Sequence, residues 1–477
     1  MKTIPFTFEI NQDESSYHPA IETKTVKLTD RQFAILSKNS NSEFSVDSYD
    51  DNLGKKWSSP VKLGLDETPE LFGANEKYVY LLTYKMAKTE GQQRVLAYYF
   101  DKKTGARAGQ KTLMNAPSKG RKIGISSSED GSKVMVYQHI TPNRIISGTR
   151  GVVYNDLFEE IKEQVYEFDD LNVSFDPIIK VDNKGNQFIT FITDDYRKVR
   201  IRKFTPRTEV YGELIQVLGG VFDGTDIYIF DHLLKLDNKG NLYFASITVE
   251  DSTMLYYSLK VARFDFEKYI VHMPNEFKFT KKYLDSLPYY KPKPGMETGS
   301  IVDTYLSEML ITPDNDIILI AEKRYTNDEY HGGHEAKEML LFRYNEFMGY
   351  EWLSNIDKDQ FASHYQFYSG LGFKAKYFED QVQLLTFERI DGRSDLYLRT
   401  VSRVNGTYRM PEPLGVLNPY DKKPHYLRDF TLWLNQNTIV TVTQTSKGLQ
   451  LNRSRVTPVV ADSAPSLILI DKHNTAN

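Results

Sequence analysis

A short turn-and-strand unit recurs in fixed order along this chain, and such recurrence restricts a sequence to a repeat architecture before any other consideration. The unit is a polar turn followed by an apolar run: EDGSKVMVY from Glu129, VDNKGNQFITFI from Val181, LDNKGNLYFASI from Leu236 and TPDNDIILIAEK from Thr312. Looser copies read LTDRQFAILSK from Leu28, GANEKYVYLLTY from Gly73, YFEDQVQLLTFE from Tyr377 and LNQNTIVTVTQ from Leu434. Asp or Asn with Gly supplies the left-handed positions of a tight hairpin, and the run that follows has the length of an interior strand. The first apolar strand residues are Phe33, Tyr78, Val134, Phe188, Leu242, Ile317, Val382 and Ile439, separated by about 45 to 75 residues. Propeller blades repeat at about 40 to 50 residues, and longer loops account for the excess.

A second element follows each of several anchors: a strand ending in an aromatic residue, then Asp or Asn, then a polar turn. It occurs at Tyr49-Asp50, Phe100-Asp101, Tyr154-Asn155, Phe264-Asp265 and Tyr344-Asn345. The aromatic ring packs between sheets while the Asp or Asn starts the turn into an edge strand. The expected fold is therefore all-β, a β-propeller of four-stranded antiparallel blades, with eight blades expected and seven as the alternative, in a single domain over 1–477. Usage of 32 Tyr and 27 Phe suits a pleated, half-buried surface. A sandwich array needs repeats of about 100 residues, a β-helix needs shorter ones, and helical solenoids need long 3.6-period stretches.

A propeller must join its first and last blades to avoid loose edges. Either Phe6–Ile10 or Leu467–Ile470 is expected to complete the last blade. Two connections are long, at about 279–300 and 325–338. The first contains YYKPKPG, whose prolines favour an extended chain. Long loops on a rigid scaffold are where function tends to sit.

A net charge of −4 from many charges of both signs gives no electrostatic case for wrapping nucleic acid. The sequence has no Cys, which excludes disulfides and thiolate chemistry. No apolar stretch approaches the roughly 20 residues of a spanning helix, so direct membrane insertion is not expected. The N-terminal MKTIPFTFEINQDE has no apolar signal core. Read literally it is a cytoplasmic start; read as a processed chain, it suits an exported domain.

Candidate chemistry is sparse. His331, His334 and Glu335, with Glu338 nearby, form a dense group of possible metal ligands, but the two glycines between the histidines suit a solvated hairpin tip. No metal or cofactor is expected. SSEDGSK from Ser126 is similar to the structural Asp-box turn of sialidase propellers and lacks its Thr-Trp. Ser118–Lys122 with Arg107 and Lys111 makes a local basic patch, read as solvated loop. Two carboxylates of the central channel would support glycosidase chemistry, although GxSxG, P-loop and Rossmann patterns are missing. No catalytic residue is assigned. Tyr289, Tyr290, Lys291 and Pro292 are the expected partner-binding residues, because exposed aromatics beside prolines lose little entropy on docking.

The DNKGN and EDGSK turns, the aromatic-Asp strand ends, the high Tyr, Phe, Lys and Asn content and the missing cysteine together resemble the propellers of Bacteroidetes exported proteins. Among these the chain is similar in general character to the plug-subunit family of the type IX secretion translocon. That resemblance implies a non-catalytic periplasmic protein that closes the periplasmic end of a large outer-membrane barrel, its partner. The alternative is a propeller enzyme acting on carbohydrate.

Overall fold

The computed structural model describes residues 1–10, 21–142, 145–171, 173, 176–287, 303–327, 333–362, 370–417 and 424–456. They form eight antiparallel sheets, each built on four strands, arranged as a β-propeller. Blade one comprises Thr25–Thr29, Gln32–Ser40, Glu43–Asp50 and Lys55–Lys62, and blade two Glu67–Ala74, Tyr78–Ala87, Gln92–Asp101 and Arg107–Pro117. Blade three comprises Gly124–Ser127, Val134–Ile140, Gly148–Tyr154 and Glu160–Glu167. Blade four comprises Ile178–Val181, Gln187–Thr193, Lys198–Phe204 and Tyr211–Val217. Blade five comprises Thr225–Leu236, Leu242–Glu250, Tyr256–Asp265 and Ile270–His272, and adds Gly220–Phe222 and Phe277–Lys278. Blade six comprises Thr304–Ile311, Ile317–Asn327, Gly333–Tyr344 and Tyr350–Ile356, and adds Gln360–Ala362. Blade seven comprises Phe373–Tyr377, Gln381–Ile390, Arg393–Ser402 and Glu412–Pro413. Blade eight comprises His425–Asn435, Thr438–Thr445, Gly448–Arg455 and Lys2–Pro5.

All eight anchors fall on the second strand of a blade, at its first or second residue. The turns explain why. Asp182 Oδ1 accepts the N–H groups of Lys184 and Asn186 at 2.9 and 2.8 Å, and Gly185 takes φ +83°. Asp237 repeats this on Lys239 and Asn241, both at 2.8 Å, with Gly240 at +84°. One carboxylate satisfies two main-chain donors, and glycine accepts the left-handed backbone at no steric cost. The aromatic-Asp turns use the same device: Asp50 accepts from Asn52 and Gly54, and Asn345 from Phe347 and Gly349. Tyr49, Phe100, Tyr154, Phe264 and Tyr344 are all buried.

The chain divides into two compact units. Among the described residues, the first lies within 1–193, 200–213 and 421–457, and the second within 194–199 and 214–420. In each, apolar layers join neighbouring blades. Ala34, Leu36 and Val46 of blade one meet Val79, Leu81 and Phe100 of blade two in the first unit. Ile318, Ile320 and Leu341 of blade six meet Val382, Leu384 and Val401 of blade seven in the second. A tryptophan contact recurs at both places. Trp57 lies on Gly105 and Trp352 on Gly406, each glycine left-handed, where an added Cβ would meet the indole at 2.5 and 2.6 Å.

Blade eight is completed by Lys2–Pro5, which pairs antiparallel with Gln450–Arg453. The expectation of a strand over Phe6–Ile10 is thus corrected: the strand lies just before it. Phe6 N–H still bonds Leu449 O at 3.0 Å, but the chain then turns to blade one, where Phe8 bridges Lys38. The reason is apolar: Phe6 and Phe8 pack edge-on against Phe430, with ring centroids 5.5 and 5.0 Å away. Leu467–Ile470 lies outside the described residues.

Candidate interaction surfaces

Tyr289, Tyr290, Lys291 and Pro292 lie outside the described residues, as does His331. The connection that leads to them starts packed on its own unit. Phe279, Leu284 and Leu287 are buried with Leu306, Leu340 and Phe342, around a single helical turn at Lys281–Leu284. Within 325–338, the stretches Tyr325–Asn327 and Gly333–Glu338 belong to strands that pair with each other. There Glu335 accepts the Tyr325 hydroxyl at 3.0 Å and pairs with Lys337 at 2.8 Å, while Thr326 Oγ1 meets His334 Nδ1 at 3.3 Å. Among the described residues no group of three His, Asp or Glu is placed to hold a metal ion. The basic patch is engaged internally: Arg121 pairs with Asp176, Lys122 with Glu70, and Lys111 donates to Phe158 O at 2.7 Å.

Blade one carries a groove of about 650 Å³ lined by Ser37, Asp47, Tyr49, Lys55 and Ser58, with Phe6 at its margin. Asp47 is buried and accepts the Ser37 and Ser58 hydroxyls at 2.7 and 2.5 Å, with Lys55 Nζ at 3.4 Å. Burial opposes the charge on Lys55, yet Asp47 and the Tyr49 ring beneath it hold the ammonium above the ordinary lysine range. The other lining carboxylate, Glu43, lies four residues along the same strand. A strand rise of about 3.3 Å per residue separates their Cα atoms by about 13 Å. Both carboxylates line the groove, which thus presents two acidic groups and the Lys55 ammonium to a polar ligand.

Between blades six and seven, the strongest charges are buried in pairs. Glu322 and Lys358, both 0% exposed, meet at 2.7 Å. Lys358 also donates to Gln360 Oε1 at 2.6 Å, whose amide donates to Gly372 O and Phe387 O. Arg399 reaches Glu388 Oε2 at 3.0 Å and Thr386 Oγ1 at 2.7 Å. Burial pulls the Lys358 ammonium below the ordinary lysine range, opposed by Glu322. Isolated buried charges are costly, and these hydrogen-bonded pairs offset that cost. These groups read as structural.

Blade five differs. Its first strand, Thr225–Leu236, runs 12 residues and takes on the extra strand Gly220–Phe222 through a two-residue turn at Asp223-Gly224, both left-handed. Asp-Gly is the preferred chemistry for that turn. Along the strand the buried Ile227 and Ile229 alternate with the less buried Tyr228 and Phe230. The Tyr196 ring lies 6.3 Å from Tyr228, whose hydroxyl reaches Met254 Sδ at 2.9 Å, and Phe230 continues to Tyr305 at 6.3 Å. Val221 is 71% exposed and Met254 51%. Tyr196 ends a run of three left-handed residues, Asp194, Asp195 and Tyr196, at φ 52°, 51° and 62°. Such backbone costs about 1–2 kcal/mol per residue. The run is held by Arg197 N–H on Asp194 O and by Ile229 N–H on Tyr196 O at 3.1 and 2.8 Å. Sequence reading passed over this surface because its parts lie in separate hairpins; only the DG turn is visible locally.

No protein-family model and no curated protein matches the chain. Solved structures do. The polysaccharide lyase Uly1 is 10% identical, with 81% of this chain and 89% of that one covered at a TM-score of 0.43. The WD40 domain of SCAP from fission yeast is 9% identical, covering 91% and 94% at a TM-score of 0.42. The β-propeller domain of the Trilobed protease from Pyrococcus furiosus is 10% identical, covering 83% and 97% at a TM-score of 0.40. Likeness at this level assigns no activity, and the eight-bladed propeller stands on the sheet topology of the chain itself.

Proposed function

We propose that this chain is a non-catalytic protein-binding module. The observation that carries the reading is the apolar surface of blade five, where the exposed Val221, Phe230 and Met254 lie beside the half-buried Tyr228. Contiguous apolar surface of that kind marks interaction sites in water-soluble folds. In its finer form the reading makes the chain a periplasmic subunit that closes the periplasmic end of a large outer-membrane export barrel. That finer form rests on the sequence resemblance to Bacteroidetes exported propellers. The test is affinity capture of the tagged chain from the native cell envelope in mild detergent. Stoichiometric co-purification of an outer-membrane barrel is expected; a chain that comes down alone overturns the reading.

The groove of blade one supports a second reading, in which the propeller acts on carbohydrate. Asp47, with two serine donors and an adjacent lysine, is the group such a reading would use. A glycan panel decides it: turnover that disappears in Asp47→Asn would replace the binding module, and no turnover is expected.

A further inference from the structure

We infer that the stripe on blade five docks an extended basic segment of a partner protein, one in which Lys or Arg alternates with apolar residues. The inference rests on the binding-module reading and names the chemistry of its partner.

Scattered exposed apolar residues need no explanation, but a connected row does. Here the row is continuous through Tyr196, Tyr228 and Met254, and Val221 stands beside it on the strand that pairs with Asp226. Its rim is acidic. Asp194, Asp195, Asp223, Asp226, Glu250 and Asp251 lie on the three hairpins that form it, against the cations Arg197, Lys198 and Lys278. These hairpins are tied together: Arg197 pairs with Asp226 at 2.7 Å, and Asp251 N–H bonds Asp226 O at 2.9 Å. The whole chain carries only −4, so the twofold local excess of carboxylates belongs to this surface and does not reflect general composition. Asp195, 95% exposed, and Asp223, 87% exposed, reach furthest into solvent, and their ion pairs are long, with Arg197 at 3.8 Å and Lys278 at 3.6 Å.

The geometry selects an extended segment. Asp226, the cross-strand partner of Val221, and Tyr228 are two residues apart on the regular part of one strand, a spacing of about 6 to 7 Å that matches alternate side chains of a second strand. Gly220–Phe222 is the terminal strand of its sheet, the kind of edge to which a peptide strand adds through main-chain hydrogen bonds. It is only three residues long, so side-chain pockets and charge must supply most of the recognition.

The test uses the full chain and a fluorescent peptide of about ten residues alternating Lys with Val, a length that spans one strand edge. A matched peptide with Glu in place of Lys is the control. The Lys peptide is expected to bind and to weaken as salt rises, while the Glu peptide does not bind. Tyr228→Ser, and the double change Asp195→Asn with Asp251→Asn, should each weaken binding at least about tenfold. Val221→Ser, at a highly exposed site, gives an independent reading should Tyr228→Ser fail to fold. Equal binding of both peptides, or unchanged affinity in folded variants, overturns the inference. So does concentration-dependent self-association that the same variants abolish, which would assign the surface to a second copy. Envelope capture separates the two readings. A partner retained by Tyr228→Ser leaves the binding module standing and removes this surface from it. A parent chain that captures nothing fails the module, and the peptide assay then judges the surface alone.

Discussion

Blades eight and five each accept a strand from outside the consecutive four-strand repeat, and they use it in opposite ways. Lys2–Pro5 completes blade eight, and the chain directly after it buries Phe6 and Phe8 against Phe430. Gly220–Phe222 extends blade five, yet Val221 beside its turn stays open to solvent. Both strands are short, so ladder hydrogen bonds alone fix neither role. The difference lies in where apolar side chains go. Burial stabilises the fold around blade eight, whereas blade five keeps its apolar surface available for association.

The largest test of this contrast is removal of residues 1–8. It deletes both phenylalanines and frees the Gly448–Arg455 edge, and should cost about 5 kcal/mol or more, since each buried Phe is worth about 3–5 kcal/mol. Removing the apolar side chain at Val221 by Ser should change stability by no more than about 0.5 kcal/mol. Denaturant unfolding measures both, and similar midpoints would erase the distinction.

The next test concerns the buried pair of Lys24 and Asp429, beside the same aromatic cluster, with Lys24 Nζ 5.6 Å from the Phe8 and Phe430 rings. Lys24→Ala leaves Asp429 buried without its cation and should cost about 3–5 kcal/mol. Lys24→Met combined with Asp429→Leu should recover most of that loss. Failure to recover would mean that the charge itself, more than its pairing, shapes blade eight.

A smaller effect is expected at the shared turns. Asp237→Ala in blade five and Asp182→Ala in blade four each strip one carboxylate from two main-chain N–H groups, and should each cost about 1–2 kcal/mol. Equal losses would place the difference of blade five outside its repeat. Unequal losses would show that its turn has also changed.

The smallest effect is one of pH. His232 of blade five stacks on Phe244 at 5.7 Å, and burial holds its imidazole below the ordinary histidine value of 6.5, with Asp231 acting in the other direction. The folded state therefore favours the neutral ring. That contribution is complete above the unfolded value and is lost as pH falls through it towards the folded one. Unfolding free energy should drop on acidification below about 6.5, and His232→Asn should flatten that slope. An unchanged slope would remove His232 from the account.

Much of the architecture is local chemistry. DNKGN at Asp182 and Asp237 writes its own turn, because carboxylate, glycine and main-chain donors all lie within five residues. The repeated aromatic-Asp ends read out for the same reason, and YDDNLGKKW and YNEFMGYEW even place Trp57 and Trp352 alike. The candidate surface was much less legible. Asp194, Val221, Tyr228 and Met254 are separated in sequence by up to 60 residues, and nothing near any one of them announces the others. The alternation that marks Tyr228 and Phe230 is common to every half-buried strand.

The sequence by itself determined the repeat, the order of strands within a blade and the turns that set their register, because those interactions close over a few residues. Only the tertiary structure decided which strand completes blade eight. Lys2–Pro5 and Gly448–Arg455 meet across more than 440 residues, and what selects that strand over the more apolar Phe6–Ile10 is the demand of Phe430 for two aromatic neighbours. The tertiary structure likewise decided where apolar side chains stay exposed, since exposure depends on what packs above a strand, and no strand encodes its neighbours.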